Sequence, residues 1–320
     1  MIIAWIATDK GLTKHDGAIS DRLPAGTVWL DLIDITHEEE LLIEGMLQID
    51  IPTRAEMQEI EASSRLYREG QTLYMTATHL IKTETESPET MPVTFILCRN
   101  QLVTLRYAEP WSFRVFIQRA GKSGATTAEL VFVALMETTV ERLADMLELV
   151  TIELEHLSQQ IFRRTAQAAA EVDLQKTIFK IGACGNIASK ARESLLDKNR
   201  VLIFAEGAAP DWMQADSRAR LKASMRDIAS LSDHASFIAG KVSFQLDATL
   251  GLINIEQNRI IKIYSIVAVI FMPPTMIASV YGMNVKIPEY NWEYGYPWAL
   301  FLMVLSVVFT LGAFRWRHWL

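Results

Sequence analysis

The chain has 320 residues, half of them hydrophobic and 22% charged, with a formal net charge of -7. That acidic balance leaves no electrostatic footprint for nucleic acid. Its two cysteines, Cys98 and Cys184, lie far apart and outside any CxxC or Cys/His cluster, which argues against a disulfide framework or structural zinc and points to a reducing compartment.

The opening stretch Met1-Ile2-Ile3-Ala4-Trp5-Ile6-Ala7 reaches Asp9 without a basic segment or a full apolar run. It reads as a first strand rather than a secretory signal, which places the N-terminal region in the cytosol. Val28 to Asp34 reads as a strand. Thr36-x-x-Glu39 is a capping box that opens a helix through about Gln48, and Thr53-x-x-Glu56 repeats the device for a shorter helix. Leu73 to Leu80 and Val93 to Leu97 read as strands, and Arg99-Asn100-Gln101 as the turn into Leu102-Val103-Thr104-Leu105. Residues 1–110 are thus expected to form a mixed α/β cytosolic domain. Its acid pairs fit solvated helix faces, and no nucleotide loop or catalytic triad is spaced along it, so an enzyme is not expected.

Proline is absent from Trp111 to Ala209 and again from Asp211 to Met272. Ala128 to Phe162 carries apolar residues at helical spacing, and Val172 to Phe204 fits a second helix, so residues 111–210 are expected to be long helices. Gly207 and Pro210 supply a break. A third helix is expected from about Trp212, with residues 211–262 as a stalk that Gly240 and Gly251 weaken without ending.

No charge falls between Lys262 and Lys286, and none between Glu293 and Arg315. Each gap is long enough to cross a bilayer, which takes about 20 apolar residues. Residues 263–284 and 296–314 are the expected transmembrane helices, with 285–295 as the outer loop and 315–320 as a basic tail. Arg259, Lys262, Arg315 and Arg317 flank the spans, so both termini are expected in the cytoplasm. Aromatic residues from Tyr281 to Trp319 mark the interfaces. Two helices enclose no pore alone, so the minimal inference is a cyclic homo-oligomer held in lipid. Asn258, Ile261, Ser265, Ala268, Met272, Thr275 and Ser279 recur at steps of three and four along the first span and form a candidate pore face. The same spacing of small residues also suits helix packing.

Tyr281-Gly282-Met283-Asn284 ends the first span, a short acidic loop follows, and the chain closes on Trp319-Leu320. With Ile255 to Ile263, Pro273-Pro274-Thr275, Tyr294-Gly295-Tyr296-Pro297 and Glu59 to Arg65, these residues resemble the CorA magnesium/cobalt transporter family, whose members are two-transmembrane, Gly-Met-Asn-type metal ion transporters. The loop reads Ile287-Pro288-Glu289-Tyr290 where the family often has Met-Pro-Glu-Leu. The resemblance implies a funnel-shaped homopentamer in the bacterial inner membrane and passive Mg²⁺ uptake, with Co²⁺ and Ni²⁺ as further cargo. Mg²⁺ is then substrate and regulator, and no organic cofactor is implied. It implies a filter at Gly282, Met283 and Asn284, and it matches Asn258, Met272 and Thr275 to pore positions. Hydrated Mg²⁺, which sheds its water reluctantly, suits a ring of amide and carbonyl oxygens. Glu289 and Glu293 would concentrate cations at the mouth. Regulation by cytosolic Mg²⁺ would fall to acids between subunits, with Asp227, Glu84 and Glu86 as candidates. ZntB-type zinc transporters, some proton-coupled, share this architecture and remain the alternative.

Overall fold

The computed structural model describes every residue except 18, 20–21, 60, 83–87, 163–172, 209–212, 284–291 and 318–320. It divides into two units, Met1–Leu246 and Asp247–Leu320.

The first unit is built on a seven-stranded sheet in the order β2-β1-β3-β7-β6-β5-β4. The strands are β1 (Ile2–Thr8), β2 (Gly11–Lys14), β3 (Thr27–Ile33), β4 (Leu66–Glu69), β5 (Thr72–Ile81), β6 (Glu89–Leu97) and β7 (Leu102–Arg106). Only β3 and β7 run parallel; the other neighbours are antiparallel. The expected strands are all present. The short β2 and β4 are additions, because four residues carry too little periodicity to read. β6 also starts before Val93, since Pro92 lies beyond the β6–β7 pairing, where the ladder does not need its missing N–H.

The two capping boxes open α1 (His37–Leu47) and α2 (Arg54–Met57). Thr36 Oγ1 accepts from the Glu39 N–H at 3.3 Å while Glu39 returns a carboxylate to the Thr36 N–H at 3.0 Å. A third short helix, α3 (Ala62–Arg65), leads into β4. One sheet face packs Leu30, Leu32, Ile96, Val103 and Leu105 under Ile43 and Met57. Helix α4 (Trp111–Arg119) brings Phe113 and Phe116 against Trp29, whose ring stacks on Trp5 at 5.3 Å. Gly11, at φ +157°, lets β2 touch the Ala120–Lys122 turn: a Cβ there would fall 2.2 Å from the Ala120 carbonyl oxygen.

A buried ion pair ties β3 to β7. Arg106 Nη2 donates to Asp31 Oδ2 at 2.8 Å and Arg106 Nε to Oδ1 at 3.0 Å. Thr104 Oγ1 donates to the same carboxylate, and Trp29 Nε1 donates to Thr104. The guanidinium also lies 5.0 Å from the Phe113 ring centroid. Every oxygen and nitrogen that would otherwise be stranded finds a partner, which is what makes a buried charge pair tolerable.

Three long helices complete the unit: α5 (Ala128–Phe162), α6 (Leu174–Gly207), and the first part of α7 (Ala215–Tyr281). Asp173 caps α6, its Oδ1 accepting from the Gln175 and Lys176 N–H groups. α5 and α7 run parallel, joined in ascending order by Glu129–Gln214, Glu137–Arg220, Thr151–His234 and Leu154–Gln245. Gly185 lets α6 approach α7, since a Cβ there would sit 3.1 Å from Val242.

Helix α7 has 67 residues, roughly 100 Å at about 1.5 Å each, and passes Gly240 and Gly251 without a break. The second unit holds its remainder and α8 (Gly295–Trp316). Both contain stretches long and apolar enough to cross a membrane.

Candidate ion pathway

The apolar part of α7 has two unlike faces. Ile266, Ile270, Pro273, Pro274, Ile277 and Tyr281 are half-buried. Asn258, Ile261, Ser265, Ala268, Met272, Thr275 and Ser279 are all exposed. At about 100° per residue these sets lie on opposite sides of the helix. On α8, Gly295 and Ala299 are buried, and Leu302, Met303, Ser306, Val307, Thr310 and Phe314 are half-buried, again at helical spacing. Each helix of the second unit thus has one sheltered stripe. The candidate pore face lies on the unsheltered side of α7.

The helix survives its two prolines. Neither offers an N–H, so the Val269 and Ile270 carbonyls lose their usual partners four residues on. In the next turn Thr275 donates its hydroxyl to the Phe271 carbonyl at 2.7 Å, a bond that does not reach either of these two carbonyls. Both prolines lie on the half-buried face, away from Met272 and Thr275.

At the end of α7 the Gly282 N–H donates to the Ala278 carbonyl at 2.8 Å. A Cβ on Gly282 would stand 3.1 Å from that same oxygen, a tight approach to backbone. Met283 is exposed. Asn284 and Glu289 lie outside the described residues. Glu293 is exposed, beside a cluster in which Trp292 meets Tyr294 and Trp298, each at 6.2 Å, and Trp298 stacks on Phe301.

Of the candidate regulatory acids, Glu84 and Glu86 lie outside the described residues. Asp227 is exposed on α7, in a groove that Glu137, Glu141, Ser224 and Ser230 also line. Among the described residues no three His, Cys, Asp or Glu side chains converge as a metal would require.

The family model for CorA-like Mg²⁺ transporter proteins matches residues 24–316. The chain belongs to the CorA-like Mg²⁺ transporter family. It is 32% identical over 323 residues to the magnesium transport protein CorA of Escherichia coli K12 and 35% identical over 324 residues to that of Pasteurella multocida, covering all of each. Its fold matches the complete structure of the CorA magnesium transporter from Methanocaldococcus jannaschii with a TM-score of 0.77 at 19% identity, over 100% of this chain and 99% of that one. The α/β domain, the long helices and the two C-terminal apolar helices are therefore a shared CorA architecture.

The sequence reading missed one polar cluster outside this pathway. Lys198 is fully buried on α6, among Ala191, Leu195, Val201 and Leu202. A lysine at a core position of the buried stripe of α6, one turn from Ser194, was the available signal.

Proposed function

We propose that the protein is a potential-driven Mg²⁺ channel of the bacterial inner membrane, working as a homopentamer with both termini in the cytoplasm. The observation that carries this is the uncovered polar and small-residue face of α7, opposite its sheltered stripe. Copies arranged around an axis would turn Asn258, Ser265, Thr275 and Ser279 toward a shared lumen, with Ile261 and Met272 as apolar constrictions. Such constrictions gate by dewetting. Gly282, Met283 and Asn284 would then form the filter, and five Asn284 amides would hold the hydrated ion without stripping it. A divalent ion gains about 4.6 kcal/mol per 100 mV, so no nucleotide motor is needed.

Glu289 and Glu293 concentrate cations at the outer mouth. Asp227, with Glu84 and Glu86, supplies the regulatory site: across a subunit interface these carboxylates repel until a cytosolic divalent ion bridges them. Co²⁺ and Ni²⁺ are expected as secondary cargo.

The test is flux into liposomes holding the purified full-length chain, comparing Mg²⁺, Co²⁺, Ni²⁺ and Zn²⁺ with a pH gradient on and off. Uptake of Mg²⁺ set by potential alone, abolished in an assembled Asn284→Ala variant, is expected. Zinc uptake that requires the proton gradient would instead make it a ZntB-like transporter. Raising internal Mg²⁺ should close the parent, and Asp227→Asn with Glu84→Gln and Glu86→Gln should shift the closing concentration.

A further inference from the structure

The outer edge of β5 is open beyond Met75, because β4 pairs only with Thr72–Met75. On its other side Thr78 lies opposite Pro92, which has no N–H to exchange. The N–H and C=O of Thr78 therefore face away from the sheet. An exposed pair of this kind is an unsatisfied edge unless something caps it.

Helix α6 caps it with side chains. Asp197 Oδ2 accepts the Thr78 N–H. Ser194 Oγ donates to the Thr78 carbonyl at 3.0 Å, and Lys198 Nζ donates to it at 2.6 Å. Lys198 also donates to Ser194 Oγ at 2.9 Å. Arg65, at the end of α3, completes the clamp: its Nη2 donates to the Thr76 carbonyl at 3.0 Å, to Thr78 Oγ1 at 3.2 Å and to Asp197 Oδ2 at 2.9 Å. Asp197 thus supplies the acceptor, and Ser194 and Lys198 the donors, that a neighbouring strand would have offered.

We propose that this clamp is a proton-sensitive latch: protonation of Lys198 loosens the hold of α6 on the open edge of β5. The charges around Lys198 make it so. On α6 itself Asp197 is the counter-charge, but Arg65 and the Thr78 N–H already engage it. On β5, His79 is fully buried and held well below its ordinary pKa, first by burial and then by Lys198, so it stays neutral. On α3, Arg65 is cationic and repels. On α5, Arg142 lines the small cavity beside His79 and lies over the Trp111 ring. Burial first, with Arg65 opposing Asp197, lowers Lys198 from 10.5 to about 7.

The direction follows from linkage. Below pH 7 Lys198 holds its proton in both the closed and the open seam, and the burial penalty is present in full. Between pH 7 and 10.5 the closed seam has shed a proton that the open one keeps. The latch therefore tightens as pH rises through that window, by up to about tenfold per pH unit. Around neutral pH a cell's own fluctuations fall at the foot of this response.

Amide exchange in the full-length protein in lipid nanodiscs tests it, read as the protection factor of residues 72–81 against unstructured-peptide rates at the same pH. Protection in the parent should rise between pH 7 and 8.5, by up to about tenfold per unit. In Lys198→Met, which keeps the stem and removes the titration, it should be flat. In Asp197→Asn, which keeps the acceptor and removes the counter-charge, the rise should begin at lower pH. A flat parent, an equal rise in Lys198→Met, or an unshifted rise in Asp197→Asn would each overturn the latch; the last decides the matter even where Lys198→Met does not fold.

Discussion

The two units of the chain differ in how far they enclose apolar side chains. In Met1–Leu246, residues such as Leu30, Phe95, Phe132 and Leu195 are sealed from solvent, and even the Asp31–Arg106 pair is enclosed with its partners. In Asp247–Leu320, Phe271, Met276, Val304 and Phe309 stand exposed, Phe309 at 78%. The first unit encloses a core within one copy, while its long helices leave Phe179, Phe237 and Phe244 exposed. The second has one sheltered stripe per helix and leaves the rest exposed. Without a hydrophobic drive between helices in lipid, small and polar residues decide what packs there. That is why Ala268, Ser265 and Ser279 on the uncovered face carry more meaning than the large residues around them.

The comparison can be broken most severely in the first unit. Arg106→Met strands the buried Asp31 carboxylate and is expected to destabilise that unit by about 3–5 kcal/mol. Thermal unfolding of the full-length protein measures it, and a paired Asp31→Asn should recover part of the loss. If the single change is silent, the enclosed pair does not hold β3 to β7.

Next come the two faces of α7. Ile270→Asp puts a charge in the sheltered stripe and should cost about 2.5–3.5 kcal/mol in membrane insertion. Ala268→Asp, on the uncovered face, should insert and assemble when that face lines a water-filled pore, as proposed. Equal insertion defects, read by membrane fractionation, would mean the uncovered face meets lipid.

A smaller effect is expected at the helix caps. Thr36→Ala removes one side of a capping box and should lower stability by about 1 kcal/mol, visible as a reduced unfolding temperature with transport intact. The smallest belongs to the outer loop. Glu289→Gln with Glu293→Gln should reduce uptake at low ionic strength and leave it nearly unchanged at high salt, since exposed charges are screened within about 8 Å at physiological salt. A salt-independent loss would make one of them a direct ligand.

Much was legible in the chain because it is local. Thr36–Glu39 and Thr53–Glu56 needed only three residues of spacing to announce helix starts, and both boxes formed. Long proline-free stretches announced α5, α6 and α7, and two uncharged runs announced the membrane helices. The periodic set from Asn258 to Ser279 was visible too, but spacing alone could not say whether it was sheltered. The alternation of burial along α7 answers that, because burial depends on what a neighbouring element covers.

The sequence by itself determined the order of the elements, the two apolar spans and the Tyr281-Gly282-Met283-Asn284 placement that marks the family. These follow from propensity, charge and spacing along one strand of chain. Only the tertiary structure decided that β3 pairs with β7 in parallel, that Asp31 is enclosed with Arg106, and that Asp197 and Lys198 meet Thr78 from 119 and 120 residues away. Their energies come from desolvation and from contacts between distant segments, and neither exists until the chain has folded.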